Sequence, residues 1–187
     1  MLSILQGATC LRQGKVIAYP TEAVFGLGCC PQNPTALTKL LQLKQRDPTK
    51  GLLLIASDIA QILPYIDRST LSAAQWDRIE QSWPGPYTWV FPATQKVLPL
   101  IRGQFDSVAV RVTAHPIASA LAKAFEGPLV STSANRSSQS PFQTAEEIID
   151  AFGESIAGVV EGSLGGEGKP TTIQDALTGQ IYREGKS

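Results

Sequence analysis

Four cations, Lys39, Lys44, Arg46 and Lys50, fall within the twelve residues KLLQLKQRDPTK and face only Asp47. At a helix end and in the loop beyond it, such groups can converge on phosphate oxygens, Arg46 as a planar two-pronged donor and the lysines as point charges. The same arrangement also suits a solvated helix terminus that complements its own dipole, and the segment by itself leaves both readings open. A second candidate is VSTSANRSSQSP, residues 130–141, which carries six hydroxyl side chains directly after an apolar run. Short donors and acceptors of this kind approach a ligand closely without bringing competing charge. A third is Arg111, which interrupts VAVRV where an apolar residue is expected in a strand covered on both faces. It either faces solvent or serves a buried anion.

Other chemistries are less well supplied. GSLGGEGKPTT ends in Gly168 and Lys169 like a Walker phosphate loop, but Ser163 stands where the first glycine belongs and Pro170 where a serine or threonine should open a helix. It reads instead as a glycine-rich loop before a strand. There is no GxSxG elbow, and the sole histidine, His115, precedes Pro116 at a helix entry, so a Ser-His nucleophile system is not expected. Displacement at phosphorus by an already anionic nucleophile needs little proton transfer and can run on positioning and cationic stabilisation. Cys10, Cys29 and Cys30 lack CxxC spacing, which argues against a disulfide framework or a zinc site and for a reducing compartment.

The scaffold for these groups is legible in outline. A chain of 187 residues with 43% hydrophobic and 17% charged residues is sized and composed for one soluble domain, residues 1–187, with a real core. Sixteen basic residues against sixteen acidic ones leave no net field, so a nucleic acid would have to bind a local patch. MLSILQGATCLRQG reads as an amphipathic helix and not a signal peptide, and LLLIA is far too short to span a membrane; a cytoplasmic protein is expected. KVIAYP alternates like a strand, and YPTEAVFGLG turns at a proline and returns with two glycines, so its backbone should pass close to something. Asn33 and Pro34 open a helix that Asp47 and Pro48 end. Strands follow at GLLLIAS, YTWVFPA, SVAVRV, PLVST and IAGVVE, and a hairpin in TTIQDALTGQIYR turns near Thr178 and Gly179. Helices are expected at residues 69–82 and 116–126, and from the Thr144–Glu147 capping box through Phe152. The alternation points to an α/β domain with a mixed sheet, in which the hydroxyl-rich loop leaves the end of a buried strand, a common ligand-binding place.

In this order, GKVIAYPTEAVFGLG, LKQRDPTKGLLLIAS, WPGPYTWVF, DSVAVRVTAHP, PLVSTSAN and TTIQDALTG resemble the YrdC-like family, in particular its short bacterial synthases without a second domain. The resemblance covers almost the whole chain, and the ordered set is far more specific than any one motif. It implies a twisted, mixed and mostly antiparallel sheet with flanking helices around a deep, positively lined cavity. It also implies a nucleotidyltransferase that condenses L-threonine, bicarbonate or CO2, and ATP with Mg2+ into threonylcarbamoyl-AMP and pyrophosphate. That product would go to threonylcarbamoyl-transferase proteins that modify adenosine 37 of tRNAs reading codons that begin with A. Lys44, Arg46 and Lys50 match the family's basic motif for the ATP phosphates, and Ser133 and Asn135 match its nucleotide-binding loop. Thr21 and Arg111 match positions at the threonine and carbamate, with Ser131 and Thr88 as further contributors; no residue is implied as a metal ligand. Lys44, Arg46 and Arg111 are the residues expected to act in catalysis. Two positions depart from the pattern: Ser138 replaces the glycine of SANxSG, and Thr171 replaces a serine before an isoleucine strand. The competing reading is an RNA-binding or ribosome-maturation module without catalysis. It is favoured less by a chain whose basic residues are few and whose residues 146–167 carry six acids and no base.

Overall fold

A computed structural model describes residues 1–136, 139–166 and 171–185. Its elements start where short polar side chains satisfy the first amides of each helix. Helix α1 (Ile4–Arg12) opens at Ser3 with a reciprocal Ser3–Gln6 capping box. Strand β1 (Ile17–Pro20) turns back as β2 (Phe25–Cys29). Asn33 caps α2 (Pro34–Lys44), whose first residue is a proline that has no amide to leave unbonded. A single 3-10 turn, Pro48–Lys50, leads to β3 (Leu53–Ala56) and the short α3 (Ile59–Ile62). Helix α4 (Ala73–Gln81) opens with a second capping box at Ser72 and precedes β4 (Tyr87–Pro92), α5 (Pro99–Arg102) and β5 (Ser107–Val112). Then come α6 (Pro116–Phe125), β6 (Leu129–Ser133) and α7 (Ala145–Phe152), the last opened by the expected Thr144–Glu147 box. The hairpin β7 (Thr172–Asp175) and β8 (Ile181–Arg183) follows, with Gly179 at φ 73° in its turn.

The eight strands form one sheet in the order β1-β2-β6-β3-β5-β4-β7-β8. The pairs β3–β5 and β4–β7 are parallel and the other five antiparallel, so the sheet is mixed and mostly antiparallel, as expected. IAGVVE does not form the expected strand. It lies beside β1 through isolated bridges, Leu2 to Val160 and Ala18 to Val159, and Gly158 at φ 146° interrupts any regular ladder. Among the described residues no helix is long and apolar enough to cross a membrane.

The two sheet faces are covered unequally. On one, Leu27, Leu54, Val110, Trp89 and Phe91 pack into a continuous apolar core with Leu37, Leu40, Ile79 and Ile148 from α2, α4 and α7. On the other, α1 and α6 bury a smaller cluster, Leu11, Ile17, Tyr19, Ile55, Leu121 and Leu129. Strand residues alternate between these faces. In β5, Val108, Val110 and Val112 enter the large core, which sends Arg111 to the second face.

The glycines of β2 accommodate Tyr19. A Cβ on Gly28 would lie 2.7 Å from Tyr19 Cε1 and 2.7 Å from the Val130 carbonyl, and one on Gly26 would lie 3.4 Å from Tyr19 Cζ. The close approach expected from the sequence is therefore to the neighbouring strand's own ring. Gly28→Ala should lower stability by about 1–3 kcal/mol. Urea unfolding is expected to show an earlier midpoint at unchanged slope.

Candidate active site

Where α1 and α6 stop, the second face opens into a cavity of about 320 Å³. Its walls are the β1–β2 turn with Thr21 and Glu22, the α2–β3 connection with Arg46 and Leu52, Arg111 of β5, Ser131 and Ser133 of β6, Pro141, and Thr171 and Arg183 at the β7–β8 end. Among the described residues three guanidinium groups and one carboxylate line it, which makes this part of the wall positive.

The end of α2 sets the direction of the basic motif. Gln45 adopts the left-handed conformation, φ 51°, and closes the helix. Lys44, 2% exposed, then points inward, and Arg46 reaches the cavity wall. The Lys44 ammonium donates to the Ser133 carbonyl at 2.5 Å, the Asn135 carbonyl at 2.8 Å and Asn135 Oδ1 at 2.9 Å. Asn135 Oδ1 also accepts from Ser133 Oγ at 2.6 Å, while Asn135 Nδ2 donates to the Gln139 carbonyl at 2.6 Å. Lysine and asparagine thus fold the hydroxyl-rich loop from behind and leave Ser131 and Ser133 on the cavity side. Burial, with Arg46 nearby, lowers the Lys44 pKa to about 8. Arg46 donates through Nε and Nη2 to the Gly51 carbonyl at 3.2 and 2.9 Å, which fixes the plane of its guanidinium. Lys50 stands exposed on the 3-10 turn.

Arg111 meets a buried anion within the chain. It is 5% exposed, with Nη2 3.4 Å from Glu22 Oε2 and Nη1 donating to Thr171 Oγ1 at 2.9 Å. Glu22, also 5% exposed, accepts a 2.6 Å hydrogen bond from Thr113 Oγ1 at its other oxygen. Thr171 is a hub. Arg183, exposed on β8, folds its guanidinium back to the Thr171 carbonyl at 2.8 Å and to Oγ1 at 3.3 Å, and Thr88 Oγ1 lies 3.5 Å from the same hydroxyl. Thr88 therefore sits behind Thr171 and not on the wall. Thr21 closes the β1–β2 turn by donating its hydroxyl to the Val24 carbonyl at 2.6 Å.

Of the residues singled out in the sequence, Thr21, Arg46, Arg111, Ser131 and Ser133 line one cavity, Lys44 and Asn135 brace its loop, and Lys50 and Thr88 lie outside the wall. His115 is a helix-entry residue, as expected: its Nδ1 accepts from the Ala118 amide and its Nε2 lies 3.1 Å from the Ser163 carbonyl. Thr171 keeps the hydroxyl that its position calls for. Ser138 and the Gly168–Pro170 segment lie outside the described residues. Sequence reasoning missed Glu22 and Arg183. For Glu22 there was a signal: it is the only charged side chain between Lys15 and Lys39.

A family model described as "Telomere recombination", Sua5_yciO_yrdC, matches residues 9–185. The chain is 52% identical over 175 residues to the threonylcarbamoyl-AMP synthase of Vibrio campbellii, across 94% of this chain and 95% of that one. Among solved structures it is similar to P. abyssi Sua5 complexed with L-threonine, with a TM-score of 0.89 at 30% identity over 97% of this chain and 54% of that one. It therefore spans about half the length of that protein. E. coli YciO matches with a TM-score of 0.84 at 28% identity, over 97% of this chain and 88% of that one.

The buried lysine carries a pH signature. Because its folded pKa lies near 8 and its ordinary value is 10.5, the unfolded chain binds more protons between those limits. This group's contribution therefore makes stability rise with pH across that window. In a 13C titration of lysine Cε resonances, one signal should titrate near pH 8 and vanish in Lys44→Met; all lysines titrating together near 10.5 would contradict this.

Proposed function

Because the chain belongs to the Sua5/YciO/YrdC family, we propose that it is an L-threonylcarbamoyladenylate synthase, condensing L-threonine, bicarbonate or CO2, and ATP into threonylcarbamoyl-AMP and pyrophosphate. The observation that carries this reading is the cavity itself, in which Arg46, Arg111 and Arg183 from three separate segments share one wall with the serine loop. Such a wall suits a substrate pair rich in negative charge, a triphosphate and a carboxylated amino acid.

In this reading the carbamate oxygen of N-carboxy-threonine attacks the α-phosphorus, a new P–O bond forms, and the bond to the bridging oxygen breaks to release pyrophosphate. The nucleophile is already an anion, so the step needs no general base. The chain contributes position and charge. Arg46, held flat by Gly51, offers its remaining donors to phosphate oxygens, and Lys50 adds a cation from the exposed turn. Lys44 acts on the phosphates through its field and through the loop: Ser133 and Asn135 keep the shape that the ammonium gives them, and a phosphate oxygen reaching Lys44 would replace one of their oxygens. Arg111, Thr21 and Ser131 orient the threonine carboxylate and carbamate, and Thr88 supports them through Thr171. ATP enters as its Mg2+ complex, the ion held by phosphate oxygens; among the described residues no three His, Cys, Asp or Glu side chains come together. The mixed anhydride product is labile and needs an acceptor close at hand; the partner that the family resemblance suggests is a threonylcarbamoyl-transferase acting on adenosine 37 of tRNA.

Purified protein with Mg-ATP should release pyrophosphate only when L-threonine and bicarbonate are both present, with the adenylate detected by mass spectrometry. Untouched ATP alongside salt-sensitive tRNA binding would transfer the assignment to an RNA-binding module. Arg46→Ala should lower turnover about 100-fold, the scale of losing one preorganised charge-stabilising donor, with its circular dichroism spectrum unchanged. A folded variant of undiminished turnover removes Arg46 from the chemistry.

A further inference from the structure

The cavity wall contains one group of the wrong sign. Among the described residues Glu22 is the sole carboxylate beside three guanidinium groups and several hydroxyls, and its pairing is incomplete. Oε1 accepts from Thr113, whereas Oε2, buried and 3.4 Å from Arg111 Nη2, accepts no hydrogen bond among the described residues. Arg111 Nε, also buried, likewise has no acceptor among them. A buried ion pair with an idle oxygen on one partner and an idle N–H on the other is a poor structural device, because charges removed from water are stable only when their remaining donors and acceptors are met. It is a good receptor for a ligand carrying both signs side by side. A zwitterionic amino acid has this form, with its carboxylate for the idle guanidinium donor and its ammonium for the idle carboxylate oxygen.

We propose that Glu22 is the threonine-reading residue of this site: its Oε2 binds the α-ammonium and takes a proton from it as the amine is carboxylated. This rests on the synthase reading above and supplies what the adenylation step leaves unexplained. Before it can attack bicarbonate carbon, the ammonium must give up a proton to free its lone pair. The N–C bond then forms as the bicarbonate hydroxyl leaves as water. Of the three ammonium protons, one passes to Glu22, one leaves with that water, and one stays on the carbamate nitrogen. The sum is carboxylate, ammonium and bicarbonate going to carboxylic acid, carbamate and water, each side carrying one net negative charge. Glu22 fits the task because Thr113 holds one oxygen while the residue lines the cavity beside Arg111, so a ligand ammonium entering there has only to displace the long 3.4 Å contact to Arg111 to reach the buried Oε2. The titratable and charged groups around it are Arg111 of β5 and Tyr19 of β1, with Arg183 beyond Arg111 and the His115 ring across Gly165.

The test compares wild type with Glu22→Gln, which keeps the shape and an acceptor oxygen but cannot store the proton. Wild-type pyrophosphate release that depends on threonine and bicarbonate is the control for the synthase reading itself; without it, that reading fails and not the role of Glu22. With the control met, Glu22→Gln should lose at least tenfold in kcat/KM for threonine with little change in KM for ATP. Its kcat/KM should also climb with pH from 7 to 9, as solvent supplies more free amine, while wild type stays flatter. Glu22→Asp, which restores a carboxylate, should recover the wild-type profile at reduced rate. Unchanged threonine kinetics in folded Glu22→Gln, or a drop that does not change with pH, overturns the proposal. Should neither variant fold, calorimetry on the wild type decides. 2,3-Dihydroxybutyrate, which has a hydroxyl in place of the ammonium, is expected to bind at least tenfold more weakly than L-threonine, and equal affinity overturns the assignment.

Discussion

An ammonium buried in protein must be surrounded by oxygen, and the oxygens that Lys44 finds belong to the loop after β6. That requirement shapes the site. Left unpaired, the charge would cost several kcal/mol, so the chain at Ser133 and Asn135 is drawn inward until two carbonyls and an amide oxygen reach it. Asn135 transmits the constraint in both directions, to Ser133 Oγ through Oδ1 and to Gln139 through Nδ2. The start of the hydroxyl-rich loop is thereby tied to α2 by hydrogen bonds as well as to the core through the buried Ala134. The basic motif divides its labour: Lys44 builds the wall from behind, and Arg46, two residues later and past the left-handed Gln45, stands in it.

The cavity is a consequence of unequal coverage. The large core on one face needs only apolar side chains from α2, α4 and α7, and the strands supply them at alternate positions. On the other face α1 and α6 cover one end only. The alternate positions beyond their reach therefore face a hollow, and Ser131, Ser133 and Arg111 occupy them. Arg111 is thus regular in strand periodicity and irregular only in chemistry. The compensating charge comes from 89 residues upstream, where Thr21 closes the β1–β2 turn and leaves Glu22 over the same hollow.

How much of this was legible in the sequence follows from the range of each interaction. Caps at Asn33 and Thr144 are written within four residues of the helices they open, and strands such as SVAVRV within their own apolar runs. IAGVVE has the composition of a strand but not its partners, since β1 already pairs with β2 on one side and Gly158 breaks the ladder on the other. The basic cluster was visible as charge, but its division into an inward lysine and a wall arginine depends on the φ of Gln45 and on a loop 90 residues away. Arg183 gave no signal, because its role exists only when β8 brings it back to Thr171. Glu22 was the exception in reverse, conspicuous as a lone charge and passed over because its partners Arg111 and Thr113 lie far along the chain.

The central claim is that one cavity holds the nucleotide and the amino acid together, with the serine loop between arginines from different elements. A crystal structure with L-threonine and a non-hydrolysable ATP analogue tests it most directly. Triphosphate against Arg46 and the Ser133–Asn135 loop, with the threonine carboxylate on Arg111, is the expected result. Nucleotide bound elsewhere on the molecule, or a cavity that admits threonine only by excluding the nucleotide, would contradict it.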